Sequence, residues 1–117
     1  MKMADFQINT QKVADNIMLI AVRGFLDAYT YGDLEQAINN LFNEKQYRLV
    51  VDMSNVDYIS SAGAGVFIGA IGIAQENNGN IVIIRPKPGV KEVFDLLGLS
   101  QIFTIANNLE SALKTFA

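Results

Sequence analysis

The sequence alternates short apolar runs with longer stretches that have the residue spacing of helices. Leu49–Val51 and Ile81–Ile84 are runs of the kind found in strands covered on both faces, and Ile17–Arg23 is also apolar on both faces. Strands that alternate with helices predict a mainly parallel sheet joined by right-handed crossovers. We therefore expect an α/β fold with a mixed, mostly parallel sheet of four to five strands and about four helices.

The two ends of the chain are expected to add shorter strands to this sheet. Phe6, Ile8 and Thr10 alternate with polar residues, which predicts a half-exposed strand. Asp15–Asn16 then turns the chain into the next strand, so that the N-terminal hairpin forms an antiparallel edge. Ile102–Ile105 is predicted to form a last short strand.

Four segments have the apolar stripe or the terminal residues of a helix. Thr30, with Asp33 three residues later, resembles a capping box at the start of the first helix. A glycine-rich helix is expected from Ser60 to about Asn77, and a third helix between Pro88 and Gly98. The predicted stripes are Tyr31, Leu34, Ile38, Leu41 and Phe42 in the first helix, Val90, Val93, Phe94 and Leu97 in the third, and Leu109, Ala112, Leu113 and Phe116 in the last.

Composition limits the chemistry that this chain can perform. It has 117 residues, the size of one domain, with no His and no Cys. Ser-His and Cys-His dyads, disulfides and the usual zinc and copper sites are therefore excluded. Twelve acidic and nine basic residues give a net charge of −3, which argues against nucleic acid as a partner. We predict a protein that is not an enzyme and has no cofactor and no metal site.

Two segments bear on the location of the protein. The N-terminal residues lack the apolar region of a signal peptide. Tyr58–Gln75 carries no charge, but it contains serines and glycines, and its solidly apolar part is shorter than the roughly 20 residues of a membrane span. We interpret this stretch as a buried helix and expect a cytoplasmic protein without a membrane partner.

The predicted topology brings two distant loops together. Parallel strands at Ile17–Arg23 and Leu49–Asp52 end at the same edge of the sheet, where ligands and partners usually bind in open α/β sheets. The loops Gly24–Tyr29 and Met53–Ser61 are then expected to emerge side by side. This arrangement makes neighbours of Asp27, Thr30, Asp52, Ser60 and Ser61.

Ser60 and Ser61 have two compatible interpretations. A serine at the start of a helix commonly caps it by accepting a hydrogen bond from a free backbone N–H. A serine in this position is also suited to phosphorylation, because the helix dipole and free amides tolerate the added negative charge. One serine can cap the helix while the other accepts phosphate.

The glycines of the same helix carry a weaker signal. Gly63, Gly65 and Gly69 have the spacing GxGxxxG, which differs from the GxGxxG of dinucleotide-binding loops, and they lie some ten residues past the strand end. We favour close packing of the helix against the sheet as the reason for these glycines. A nucleotide-binding domain or small enzyme is the weaker alternative.

Two segments resemble the signature of STAS domains. They are Gly24–Asp27 and the longer stretch Leu49–Gly65, and the likeness extends to Gly79 and to Val93–Phe103. More narrowly, they resemble the stand-alone anti-sigma factor antagonists of bacteria. The resemblance implies a single STAS-type domain over residues 1–117.

The resemblance also implies a regulatory cycle. In that family, an anti-sigma factor that is also a serine kinase phosphorylates the serine at the start of the central helix, and a PPM-type phosphatase removes the phosphate. The unphosphorylated form binds the anti-sigma factor and releases sigma factor. Alignment on Gly63 and Gly65 places Ser61 at the acceptor position and Asp27 on the partner-binding surface. The implied docking residues are Asp27, Thr30, Ser60, Ala62 and Gly63.

Two residues depart from the family pattern. Ser60 stands where Asp is usual, which makes Ser60 a candidate second acceptor, and Ala62 stands where Ser or Thr is common. The alternative function is a STAS adaptor in a lipid-transport or stress-signalling assembly that is not phosphorylated. We expect a monomer or a weak dimer.

Overall fold

A computed structural model describes residues 6–116. It confirms an α/β fold with a five-stranded sheet and four α-helices in that part of the chain. The elements are β1 (Gln7–Ala14), β2 (Ile17–Leu26), α1 (Tyr31–Asn43), β3 (Arg48–Ile59), α2 (Ser61–Glu76), β4 (Asn80–Ile84), α3 (Pro88–Leu96), a short 3₁₀ helix (Leu99–Gln101), β5 (Thr104–Ala106) and α4 (Leu109–Lys114).

The strands lie in sequence order, from β1 at one edge to β5 at the other. Only β1 and β2 are antiparallel, joined by a turn at Asp15–Asn16 in which Asn16 has a positive φ of 62°. The pairs β2–β3, β3–β4 and β4–β5 are parallel. This topology confirms the predicted hairpin edge and parallel centre.

Helices cover the two faces of the sheet unequally. The larger apolar cluster joins one face of the sheet to α1, α2 and α3, and it includes Leu34, Phe67 and Phe94. The smaller cluster joins the other face to α4 through Ala112. No polar or charged residue between 6 and 116 is classed as buried. Apolar burial therefore accounts for the stability of both layers.

Helix α2 is the charge-free stretch that the sequence singled out. Seven of its residues are buried, and the ring of Phe67 lies 5.8 Å from that of Phe94 and 6.0 Å from that of Phe103. No helix within residues 6–116 has the length and apolarity required to cross a bilayer. The prediction of a helix buried inside a domain is confirmed.

The two central strands are longer than predicted. The sequence indicated a loop from Gly24 and another from Met53, but β2 continues to Leu26 and β3 to Ile59. The strand pattern is obscured because the register between β2 and β3 shifts twice. As a result, Met53, Val56 and Ile59 are buried at intervals of three residues instead of two.

Three smaller expectations also need correction. Tyr31 and Leu97, assigned to apolar stripes, are 40% and 47% exposed. The last strand begins at Thr104 instead of Ile102, because a 3₁₀ turn occupies Leu99–Gln101.

The carboxyl group of Asp95 lies beside this 3₁₀ turn. A hydrogen bond from Ser100 and, to a smaller extent, one from Lys91 hold the pKa of this carboxyl below its usual value.

Gly79 offers a test of the packing of the turn between α2 and β4 against Tyr47, the residue before β3. Gly79 lies between α2 and β4, directly after Asn78, which has a positive φ of 64°. A β-carbon at position 79 would overlap the backbone carbonyl of Tyr47, which cannot move freely. We expect Gly79→Ala to lower the free energy of unfolding by about 1–3 kcal/mol in urea denaturation. Gly72→Ala, where a β-carbon meets nothing within 4 Å, is the control, and equal losses would contradict this explanation.

Candidate functional site

The two serines at the start of α2 have different surroundings. Ser60 is the N-cap, and its hydroxyl accepts a hydrogen bond from the Gly63 backbone N–H at 3.2 Å. Ser61 is the first residue of the helix and is exposed. Its hydroxyl takes part in none of the side-chain hydrogen bonds found within residues 6–116. Thus the hydroxyl of Ser60 is used to cap the helix, while the hydroxyl of Ser61 is exposed and open to a partner or a modification.

The loop between β2 and α1 is held by hydrogen bonds of Thr30 and Asp27. The Thr30 hydroxyl donates to the Phe25 carbonyl at 2.6 Å and accepts from the Asp27 N–H at 2.9 Å. An Asp27 carboxylate oxygen accepts from the Tyr29 N–H at 2.9 Å. Thr30 is the N-cap residue of α1, which confirms the predicted helix start, but its side chain makes no cap hydrogen bond, so the predicted capping box is wrong. The hydroxyl closes the preceding loop instead.

A backbone hydrogen bond joins this loop to the start of α2. The Ser60 N–H donates to the Leu26 carbonyl at 3.0 Å, so the residues that follow each of them, Ser61 and Asp27, leave the sheet together. Gly63 packs directly over Leu26, where a β-carbon would overlap the carbonyl oxygen and come within 2.8 Å of the side chain. The structure therefore brings Asp27, Thr30, Ser60 and Ser61 to one edge, as predicted.

Asp52 does not belong to this group. It pairs with Ala21 in the register of β2 and β3, well before the strands end, because β3 runs on to Ile59. Its carboxylate forms an ion pair with Arg85 at 2.8 Å. The expectation that Asp52 lies beside Ser61 is wrong, and its observed role is to join β3 to the residue after β4.

The glycines of α2 serve different purposes. Gly63 fits the predicted close packing, but β-carbons at Gly65 and Gly69 would meet nothing within 4 Å. These two glycines line a shallow cavity of about 150 Å³ between α1 and α2. All three lie inside a helix and do not form a phosphate-binding loop, so the spacing does not support nucleotide binding.

Exposed aromatic residues near the same edge were not anticipated. The rings of Phe25 and Tyr58 lie 5.9 Å apart and are 46% and 51% exposed, and Tyr29 is 94% exposed. The pairing of Phe25 with Tyr58 depends on the shifted register, which the sequence does not reveal. The sequence shows that these residues are aromatic, but it does not show that they are exposed or that they lie close together.

The electrostatics of the site suit a phosphorylated side chain more than a metal ion. The first turn of α2 contains no acidic residue, and its free amides lie at the positive end of the helix dipole. No cluster of three or more potential metal ligands occurs between residues 6 and 116. The arrangement leaves the Ser61 hydroxyl accessible at the positive end of the helix dipole.

The fold and the site together define a small α/β domain that presents an open hydroxyl at the start of its central helix. The family model described as STAS domain matches residues 8–112. The chain belongs to the STAS domain family, as its sequence signature predicted.

Several relatives resemble the chain over most of its length. A Bordetella bronchiseptica protein named as the anti-sigma factor antagonist BtrV is 30% identical over 107 residues, 92% of this chain and 92% of its own length. The anti-sigma-B factor antagonist of Staphylococcus epidermidis is 28% identical over 96 residues, 82% of this chain and 89% of its own.

Solved structures agree with the fold. The unphosphorylated anti-sigma factor antagonist SpoIIAA gives a TM-score of 0.80 at 19% identity, covering 93% of this chain and 95% of that chain. The phosphorylated form of the Bacillus protein SpoIIAA gives 0.73 at 18% identity, covering 95% and 100%. At these identities the likeness establishes the architecture alone.

The different roles of the two serines should appear as different changes in the free energy of unfolding when each is replaced by alanine. Ser60→Ala removes the cap of α2 and should lower the free energy of unfolding by about 1 kcal/mol. Ser61→Ala removes an exposed hydroxyl and should change it by no more than about 0.5 kcal/mol. Urea denaturation of both variants provides the comparison. Equal losses, or a larger loss for Ser61→Ala, would show that the assignment of the cap is incorrect.

Proposed function

We propose that this chain is an anti-sigma factor antagonist whose binding is switched off by phosphorylation of Ser61. The observation that carries the proposal is the open hydroxyl of Ser61 at the start of α2, beside a neighbouring serine already used as the cap. The names of the Bordetella and Staphylococcus relatives support the binding activity. The existence of phosphorylated and unphosphorylated SpoIIAA structures supports the modification.

The switch follows from the cost of burying charge. A neutral serine hydroxyl can be enclosed in an interface if it finds a hydrogen-bond partner, whereas a phosphate of −1.5 to −2 charge must lose its hydration. Asp27 leaves the sheet beside Ser61 and would add repulsion. A loss of about 2.8 kcal/mol already weakens binding roughly hundredfold. The amides at the start of α2 stabilise the phosphate in the free protein.

The proposed docking surface consists of the β2–α1 loop and the first turn of α2. Its half-buried members, Asp27, Thr30 and Ser60, are positioned by the contacts described above, and Ala62 is exposed. Gly63 is buried and acts by setting the distance between α2 and Leu26. The proposed docking residues are Asp27, Thr30, Ser60, Ala62 and Gly63. The partners we propose are an anti-sigma factor that is a serine kinase and a PPM-type phosphatase. Ser60 is the second candidate acceptor, but its hydroxyl is engaged with the Gly63 N–H.

The side of α2 that borders the shallow cavity between α1 and α2 extends this surface. Gly65 and Gly69 each cost a helix about 1 kcal/mol relative to alanine, and no contact inside the domain explains them. Their lack of a side chain lets a partner approach the backbone of α2 closely. We propose that the anti-sigma factor packs along this face, starting from Ser61.

Phosphorylation provides the direct test of the switch. The anti-sigma factor is first isolated from the source cell by affinity capture on the wild-type chain and is then incubated with ATP and each variant. We expect phosphate on the wild type and on Ser60→Ala, and none on Ser61→Ala. Ser61→Asp should bind the captured protein at least about tenfold more weakly, as measured by isothermal titration calorimetry. Full phosphorylation of Ser61→Ala, or capture only of a transporter subunit, would overturn the proposal.

The variant Gly65→Ala is expected to change stability and binding in opposite directions. Gly65→Ala should raise the free energy of unfolding by up to about 1 kcal/mol, since the added methyl meets nothing in the domain. The same methyl should weaken binding to the anti-sigma factor by about tenfold, because it prevents close approach of the partner. Gly89→Ala in α3, also with open space at its β-carbon, is the matched control and should leave affinity unchanged. Unchanged affinity in Gly65→Ala would exclude this face from the interface.

A further inference from the structure

A groove of about 480 Å³ lies between the edge strand β1 and helix α1. Its apolar wall includes Phe6, Ile8 and Met18. Asp33 in α1 and Glu44, the residue directly after α1, also line it, eleven residues apart, which is about 16 Å along a helix. Within residues 6–116, the lining contains no basic side chain. The groove thus combines an apolar wall with two negative charges that have no counterion in its lining among those residues.

Strand β1 forms one side of this groove. Its outer edge has few of the features that prevent an edge strand from pairing with another chain. Edge strands usually avoid pairing with other chains by carrying charges, prolines or bulges. In β1 the only charged residue is Lys12, and the only irregularity lies between Lys12 and Ala14. The segment Gln7–Gln11 is regular, uncharged and free of proline, and within residues 6–116 no strand lies on its outer side. Its backbone groups are therefore available to another strand.

We propose that this edge is a self-association surface, on which β1 of a second copy pairs antiparallel with β1 of the first, centred on Asn9. Asn9 is the middle of the unprotected segment, so this register pairs the whole of it. Gln7 then lies opposite Gln11 of the second copy, and Phe6 opposite its Lys12. The two sheets become one continuous sheet across a twofold axis.

Charge complementarity identifies a second copy as the occupant. In a right-handed crossover, α1 runs opposite to β2 and hence alongside β1 in the same direction, so Phe6 and Asp33 lie at the same end of the groove. Residues directly opposite in a sheet share a face, which directs Lys12 of the second copy towards Asp33. Within residues 6–116 of one copy, the only ion pair of Lys12 is a 4.0 Å contact with Asp15, in which both side chains are largely exposed.

The interface is short and predicts a weak dimer. Five paired residues and part of a groove bury less surface than stable interfaces, which take about 1,200–2,000 Å². The association is therefore expected to depend strongly on protein concentration and on salt. It involves β1 and α1, and it does not rest on the proposed function.

Disulfide trapping tests the register, because the natural chain has no Cys. Paired Cα atoms in antiparallel strands are about 4.5–5.5 Å apart, within the range of a disulfide. Under mild oxidation, Asn9→Cys should form a covalent dimer at least about tenfold faster than Gln7→Cys, whose two copies would lie about 13 Å apart. The double variant Gln7→Cys/Gln11→Cys should cross-link as Asn9→Cys does. Equal rates for the two single variants, or no covalent dimer in any variant, would overturn the proposal.

A charge swap tests the contact between Lys12 and Asp33. In the Asn9→Cys background, Lys12→Glu and Asp33→Lys should each slow dimer formation by about fivefold, because each symmetric dimer loses two ion pairs. The combination Lys12→Glu/Asp33→Lys should restore the rate, since it rebuilds both pairs with reversed signs. Thermal denaturation verifies that every variant is folded. Failure of the combined variant to recover would show that the two residues do not meet across the interface.

Discussion

The candidate site depends on one backbone hydrogen bond, from the Ser60 N–H to the Leu26 carbonyl. This bond ties the end of β3 to the end of β2, and Gly63 brings the first turn of α2 against the same carbonyl. Because a β-carbon at position 63 would push the helix away, this contact fixes where Ser61 stands relative to the β2–α1 loop. The position of the open hydroxyl is thus set by rigid backbone elements instead of by its own side-chain contacts.

Much of the fold could be predicted because it depends on patterns that are local in the sequence. The apolar run Ile81–Ile84 and the start of α2 at Ser60–Ser61 are visible as composition and capping signals, and both are confirmed. The full lengths of β2 and β3 were not visible. Two register shifts between these strands break the alternation of buried and exposed residues, and such shifts depend on the neighbouring strand.

The same difference between local and long-range signals applies to the site. Neighbours at the sheet edge, such as Asp27 and Ser61, follow from parallel topology alone. The hydrogen-bond partner of the Thr30 hydroxyl could not be predicted, because a threonine at a helix start can bond backbone groups on either side of it in the chain. A capping box uses a residue that follows, whereas the observed bond is to Phe25, which precedes it. Asp52 was misplaced because the strand that carries it continues for seven more residues, to Ile59.

The physical separation of site and core means that the proposed switch would require no refolding of the domain. Within residues 6–116 no polar or charged residue is classed as buried, so the interior holds no polar network for a surface charge to disturb. Ser61 is exposed, and the cap of α2 is made by its neighbour. A phosphate at Ser61 would therefore change the charge and hydration of the proposed docking surface while leaving the packing beneath it intact. Control of binding would then arise from the cost of enclosing that charge, and the domain itself would serve as a rigid support for it.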